Sequence, residues 1–132
     1  MDEELKEMKI VIAGTRTIVD WILVSSIINN CPFINLITKE VSGCEPNGVD
    51  RLGEKWATLH DIPIIRFPPQ WKAYGKRAGP IRNKQMAEYA DGLIAIWDGK
   101  SFGTGGMIKL ARKYMQPQFI HVVIAPRDVE VI

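Results

Sequence analysis

The sequence predicts an α/β protein: a five-stranded, mostly parallel sheet in a three-layer arrangement, with helices on both faces. Three observations carry that expectation. Short β-rich runs alternate with helical stripes along the chain. The fourth run is apolar throughout, as suits a strand buried on both faces. Strands separated by helices imply right-handed β-α-β crossovers and hence a parallel sheet.

The first strand is "KIVIA", residues 9–13, ending at Gly14. Asp20 then caps a helix to about Asn30, with Val19, Leu23 and Ile27, and beside them Val24 and Ile28, on one side. "TKEVSG", residues 38–43, is the second strand, with Leu36 as its earliest start. Between Gly48 and His60, Val49, Leu52, Trp56 and Leu59 step by three, four and three, a helical stripe. "IPIIRF", residues 62–67, is the third strand, halted by Pro68-Pro69. A helix from Pro80 to about Ala90 follows, because proline suits the first helical position. "GLIAIW", residues 92–97, is the fourth strand; residues 104–114 form the last helix and "FIHVVIA", residues 119–125, the fifth strand. No repeat, low-complexity tract or linker breaks this order. The longest irregular stretch is 68–79, and a loop of that length in a compact domain is usually functional.

Length and composition fit one domain, residues 1–132 with a core of about 9–125, at 46% hydrophobic and 24% charged residues. A formal charge of +2 does not by itself mark a nucleic-acid binder. Cys31 and Cys44 lack zinc-ligand or CxxC spacing and read as free thiols of a reducing compartment. "MDEELKEMK" is acidic, without the apolar core of a secretory signal. No apolar run approaches ~20 residues, the length that spans a membrane. A cytoplasmic protein without a membrane partner is expected.

In an open parallel sheet, ligands bind beyond the carboxyl ends of the strands, near the reversal of strand order. Four segments fall there: 14–17, 42–50, 68–82 and 98–104. "GKS" at 99–101 is not a P-loop, because the required earlier glycine is Ile94, inside the strand. A dinucleotide fingerprint fails too, since "AGTRT" offers one glycine. His60 and His121 stand in no metal or triad constellation, and no metal or cofactor is expected. "DGKSFGTGG", residues 98–106, has two readings of equal weight. Its glycines let a backbone approach a ligand and form an anion-binding concavity before a helix start at Thr104; or it is a flexible turn with Thr104 as an ordinary N-cap. In "SGCEPNGVD", residues 42–50, Asp50 either favours the helix dipole or reaches a ribose hydroxyl. Arg16, just past the first strand, suits phosphate through its planar fork.

"AGPIRNKQM", residues 78–86, sets Arg82 and Lys84 in or next to a helix's first turn, where a cation is disfavoured by ~0.3–1 kcal/mol. Either the arginine is solvated at little cost, or it and the helix terminus share an anion. From Ile62 to Ala87 there is no acidic residue, whereas Lys72, Lys76, Arg77, Arg82 and Lys84 fall there with Trp71 and Tyr74. Cations with aromatics suit phosphates with bases; a solvated basic loop pinned by Trp71 is the plainer alternative.

The stretches "IVIAGTRT", "VSG…GVDRLGEKWA" and "RFPPQWKAYGKRAGPIRNKQMAEYADGLIAIWDGKSFGTGGMI" resemble the YspA/YpsA-like branch of the SLOG superfamily. That superfamily unites Rossmann-like proteins related to the "lonely guy" cytokinin-activating phosphoribohydrolases and to the DNA-processing protein DprA. The resemblance runs over about residues 9–123 and implies a Rossmann-like fold, with strand order 3-2-1-4-5 expected, and a nucleotide-derived ligand over the sheet. It assigns Gly14 and Arg16 to the first loop, and Ser42, Gly43, Gly48 and Asp50 to the second. Arg82, Asn83 and Met86 match the helix motif; Asp98, Gly99, Ser101, Gly103 and Thr104 match the fourth. The hydrolases of the superfamily carry a P-G-G-x-G-T-x-x-E loop. Gly103-Thr104 fits its G-T, but the glutamate's position holds Met107. "CEPN", residues 44–47, also replaces a shorter glycine-rich link, and Glu45 there would repel phosphate. Relatives pair through helices, which makes a homodimer compatible with the resemblance.

The expected function is binding of a nucleotide or ADP-ribose-like ligand, as a sensor or sequestering module. Arg16 and Arg82 would grip phosphate, N–H groups of residues 99–104 would line it, and Asp50 or Asp98 would reach ribose. Trp71 or Trp97 would face the base. One alternative is a nucleoside-monophosphate phosphoribohydrolase or other N-glycosidase, which would need Asp98 or Asp50 in place of the missing glutamate. Another is single-stranded nucleic-acid binding by residues 71–84.

Overall fold

A computed structural model describes residues 6–126; five residues of the acidic "MDEELKEMK" stretch lie outside them. Five strands form one sheet: β1 (Lys9–Gly14), β2 (Lys39–Ser42), β3 (Ile64–Arg66), β4 (Gly92–Trp97) and β5 (Ile120–Ile124). Their spatial order is β3-β2-β1-β4-β5 and every pairing is parallel. This is the expected Rossmann-like α/β architecture. Strand order reverses between β1 and β4, so the β1 and β4 loops open onto the switch point.

The apolar alternation of the central strands sorts two cores. Ile10, Ile12, Ile94 and Ile96 face one side and pack on α1 (Trp21–Asn29) and α2 (Val49–Leu59), chiefly through Val24, Ile28, Val49 and Trp56. Val11, Ala13, Val41, Leu93 and Ala95 face the other, under α4 (Ala78–Tyr89) and α5 (Phe102–Tyr114), through Met86, Ala87, Met107, Ile108 and Ala111. A slip of one residue in β1 or β4 would exchange these faces, which fixes the register. Asp20 caps α1 as expected, its Oδ1 accepting the Leu23 N–H at 3.1 Å. His60 closes α2, its Nδ1 2.8 Å from the Trp56 carbonyl oxygen and its ring stacked on the indole.

Several boundaries differ from the sequence expectation. Leu36 belongs to a 3-10 turn, Ile34–Leu36, not to β2, and β3 is only three residues long. The 68–79 stretch is not irregular: α3 (Trp71–Tyr74) and a 3-10 turn, Gly75–Arg77, lead straight into α4. Pro80 is therefore the third residue of α4, still within the first turn, whose N–H groups need no intrahelical acceptor. The last helix opens at Phe102 with Ser101 as N-cap, so Thr104 is its third residue. Among the described residues, no helix is long and apolar enough to cross a membrane.

Candidate functional site

Beyond the carboxyl ends of β1 and β4 lies a cleft of about 450 Å³. It brings together Gly14, Arg16, Asp50, Arg82, Asn83, Ser101, Gly103 and Thr104 from four chain segments. Gly43 and Trp71 line a second, more apolar groove of about 510 Å³ beside it. Arg82, Asn83, Glu45, Phe102 and Gly103 border both. Ser42, Gly48, Trp97, Asp98 and Gly99 line neither.

Arg82 sits at the start of the second turn of α4, two residues deeper than a start at Pro80 would place it. Its guanidinium bonds the Gly43 carbonyl through Nη1 and donates from Nε to Asn83 Oδ1 at 2.8 Å. Asn83 is buried and spends its other end on the Gly103 carbonyl at 3.2 Å, tying α4 to the start of α5. Burial lowers the Arg82 pKa, opposed by the nearby Asp50, Cys44 and Glu45. Gly43 admits this approach: a Cβ there would stand 2.8 Å from Arg82 Nη1 and 3.0 Å from Asp50 Oδ2.

Asp50, in the first turn of α2, is buried and accepts the Glu45 N–H at 3.2 Å. Burial pushes its carboxyl up to about 6, against the pull of the Glu45 N–H and Arg82. Below it, under α2, Ser42 Oγ donates to Glu54 Oε2 at 2.6 Å and Arg66 to Glu54 Oε1 at 2.9 Å. Burial alone would raise Glu54, but the bonds from Arg66 and Ser42 outweigh it and hold the carboxyl below its ordinary value. Glu40, on β2, is fully buried and neither carboxyl oxygen has a hydrogen-bond partner. Burial, with Glu54 and Asp50 nearby, raises it well above the usual carboxylate range.

The glycines of the fourth loop divide by role. Gly99 takes a left-handed turn at φ 82°. Gly105 is a packing position, where a Cβ would stand 3.1 Å from Trp97 Cζ2, whereas Gly103 and Gly106 face open space. Asp98 closes the turn: its Oδ1 accepts the Lys100 N–H at 2.9 Å, the Ser101 N–H at 2.8 Å and the Ser101 hydroxyl at 3.0 Å. With Ser101 so engaged, α5 has no side-chain cap. Its first internal bond runs from the Gly105 N–H to the Ser101 carbonyl, so the first turn points donors outward without intrahelical partners. Trp97 lies beneath, its Nε1 donating to the Ser101 carbonyl at 3.0 Å, and is not brought into the cleft. Met107, whose position the resemblance compares with a glutamate, is buried and lines the cleft.

Thr15 was missed by the sequence reasoning and is the hub of the site. Its N–H donates to the Ile96 carbonyl at 3.0 Å, and its Oγ1 accepts the Asp98 N–H at 3.0 Å and lies 3.3 Å from Ser101 Oγ. Its place between Gly14 and Arg16 was the available signal. Phe102 was missed too; it is 96% exposed, and a lone large aromatic in a glycine-rich loop was its signal. Arg16 projects from the cleft rim, and its backbone packs so tightly on Gly48 (φ 78°) that a Cβ there would overlap it. Lys72, Lys76, Arg77 and Lys84 are all exposed.

A protein-family model described as YAcAr, the YspA, cpYpsA-related SLOG family, matches residues 8–74, from β1 through α3. No match was found among curated proteins or among solved structures. The match takes in just over half of the chain, including β1, β2, the loop that holds Arg16 and the first turn of α2 that holds Asp50, and the chain belongs to the YspA, cpYpsA-related SLOG family.

Proposed function

We propose that this protein binds a nucleotide or ADP-ribose-like ligand in the switch-point cleft and senses or sequesters it. One observation carries the reading: the Arg82 guanidinium and the uncapped first turn of α5 line the same cleft. A phosphate between them would take charge-assisted bonds from Arg82 and from Arg16 at the rim, and N–H bonds around the open Gly103. Asp50 stands where a ribose hydroxyl could donate to it. Family membership supports a nucleotide-related ligand. Both cysteines are unpaired, in keeping with a cytoplasmic setting.

The test is a thermal-shift titration with AMP, ADP and ADP-ribose, on the wild type and on Arg82→Ala. Binding at a hundred times Kd stabilises by about 2.7 kcal/mol, a shift of several degrees. Arg82→Ala is expected to cut the shift by half or more at the same ligand concentration, and an unchanged shift would refute the phosphate site. A second reading, N-glycosidic hydrolysis, is favoured by Asp50, a buried carboxyl in the cleft that titrates near 6 and so suits general acid-base chemistry. Release of free base by the wild type, lost in Asp50→Asn, would establish it.

A further inference from the structure

The groove beside the cleft is unexplained by a phosphate site. Pro68, Pro69, Trp71, Pro80, Phe102 and Leu110 give it an apolar lining. Two of its aromatics are exposed in the isolated chain, Trp71 at 58% and Phe102 at 96%. Exposed aromatics converging on one concave surface mark a binding site.

We propose that this groove is the base subsite of the same ligand, with the base stacked on Trp71 and Phe102 and the phosphates lying over Arg82 and Gly103. The inference rests on the phosphate reading of the cleft. Continuity argues for one ligand in two lobes. Glu45, Arg82, Asn83, Phe102 and Gly103 line both cleft and groove, so a ligand crossing between them keeps its anionic part over the Arg82 guanidinium and away from the Glu45 carboxylate. Charge argues likewise: Arg82 is the one cation among the residues that line the groove, and it stands on the side shared with the cleft, so the anionic end of an occupant lies there. Lys72, Lys76 and Arg77 are exposed nearby but line neither cavity.

The lining also sets the selectivity. Proline, leucine and aromatic surfaces recognise the face of a ring and not its hydrogen-bonding edge, and stacking on aromatics tolerates any base. Affinity should therefore follow ring area: purine above pyrimidine, and pyrimidine above no base. Of the two indoles the sequence offers for the base, Trp71 lines the groove and Trp97 does not, and Phe102 joins Trp71 there.

Isothermal titration with AMP, UMP and ribose 5-phosphate tests the proposal, since AMP and ribose 5-phosphate differ only in the base. In the wild type, AMP should bind at least about tenfold more tightly than ribose 5-phosphate, with UMP between them. In the Trp71→Ala/Phe102→Ala double variant the ratio of AMP to ribose 5-phosphate affinity should fall to about one; thermal melts of the double variant confirm that it folds. Ribose 5-phosphate binding as tightly as AMP overturns the groove subsite and leaves the cleft standing. So does a ratio that survives in the folded double variant, which would put the base elsewhere. Failure of all three to bind, together with the absence of a thermal shift with ADP and ADP-ribose, overturns both readings.

Discussion

Arg82 is costly to keep where it is. A guanidinium withdrawn from water needs several acceptors, and here it has the Gly43 carbonyl and Asn83 Oδ1, with Asp50 close by. Neither protein acceptor is an anion, which leaves capacity for a phosphate. Removing it should weaken phosphate-ligand binding by about 10- to 100-fold, the worth of one or two charge-assisted bonds, read by titration calorimetry. Glu40 poses the opposite case, a buried carboxyl with no partner at all. Glu40→Met keeps the volume and removes the desolvation cost. Urea denaturation at pH 7 should show a gain of about 1–3 kcal/mol. Among single residues, sequence reasoning named those whose chemistry is intrinsic, such as Arg16, Asp50 and Arg82, and the fold brings these three to one cleft. It did not separate Trp71 from Trp97, because only packing decides which indole is covered by Gly105 and which is left open.

The helices place these groups, and α4 and α5 act as a pair through Asn83. Its side chain accepts from Arg82 and donates to the Gly103 carbonyl, so one residue orients both the guanidinium and the open turn. Asn83→Ala should cost about 1–2 kcal/mol of stability and also loosen ligand binding, although alanine itself suits a helix. Combined urea and binding measurements check it; lost stability with intact affinity would mean that Arg82 holds its position unaided. Strand number and the parallel sheet were legible because short apolar runs alternate with helical stripes, and the strand order came with the family resemblance; which strand residues face which core emerges only from the packing. The starts of α4 and α5 were not legible. Pro80 and Thr104 are good opening residues, yet each sits third in its helix. Backbone geometry before them, the 3-10 turn at Gly75–Arg77 and the Asp98 turn, begins both helices earlier.

At the scale of the whole molecule, the buried carboxyls set how stability depends on pH. Asp50 is raised from 3.8 to about 6 and Glu40 well above 4.5. A carboxyl raised in the folded state holds its proton there after the unfolded chain has released it. The stability it contributes is full below the unfolded value and is lost as pH rises through the folded one. For Asp50 that is about 3 kcal/mol between pH 4 and 7. Glu54, held below its ordinary value, acts in the reverse sense, but only as pH falls below about 4.5. Melting temperature should therefore be higher at pH 5.5 than at pH 7.5, and Asp50→Asn should flatten much of that slope. The network at Thr15 has a different consequence. Thr15 fastens the β1 loop to the β4 strand and to Asp98, and Gly48 locks the β2 loop against Arg16. These loops have little left to order when a ligand arrives, so association should be a single encounter step without a closing motion behind it. In stopped flow, the observed rate should climb linearly with nucleotide concentration and reach no plateau: a lock already cut to its key.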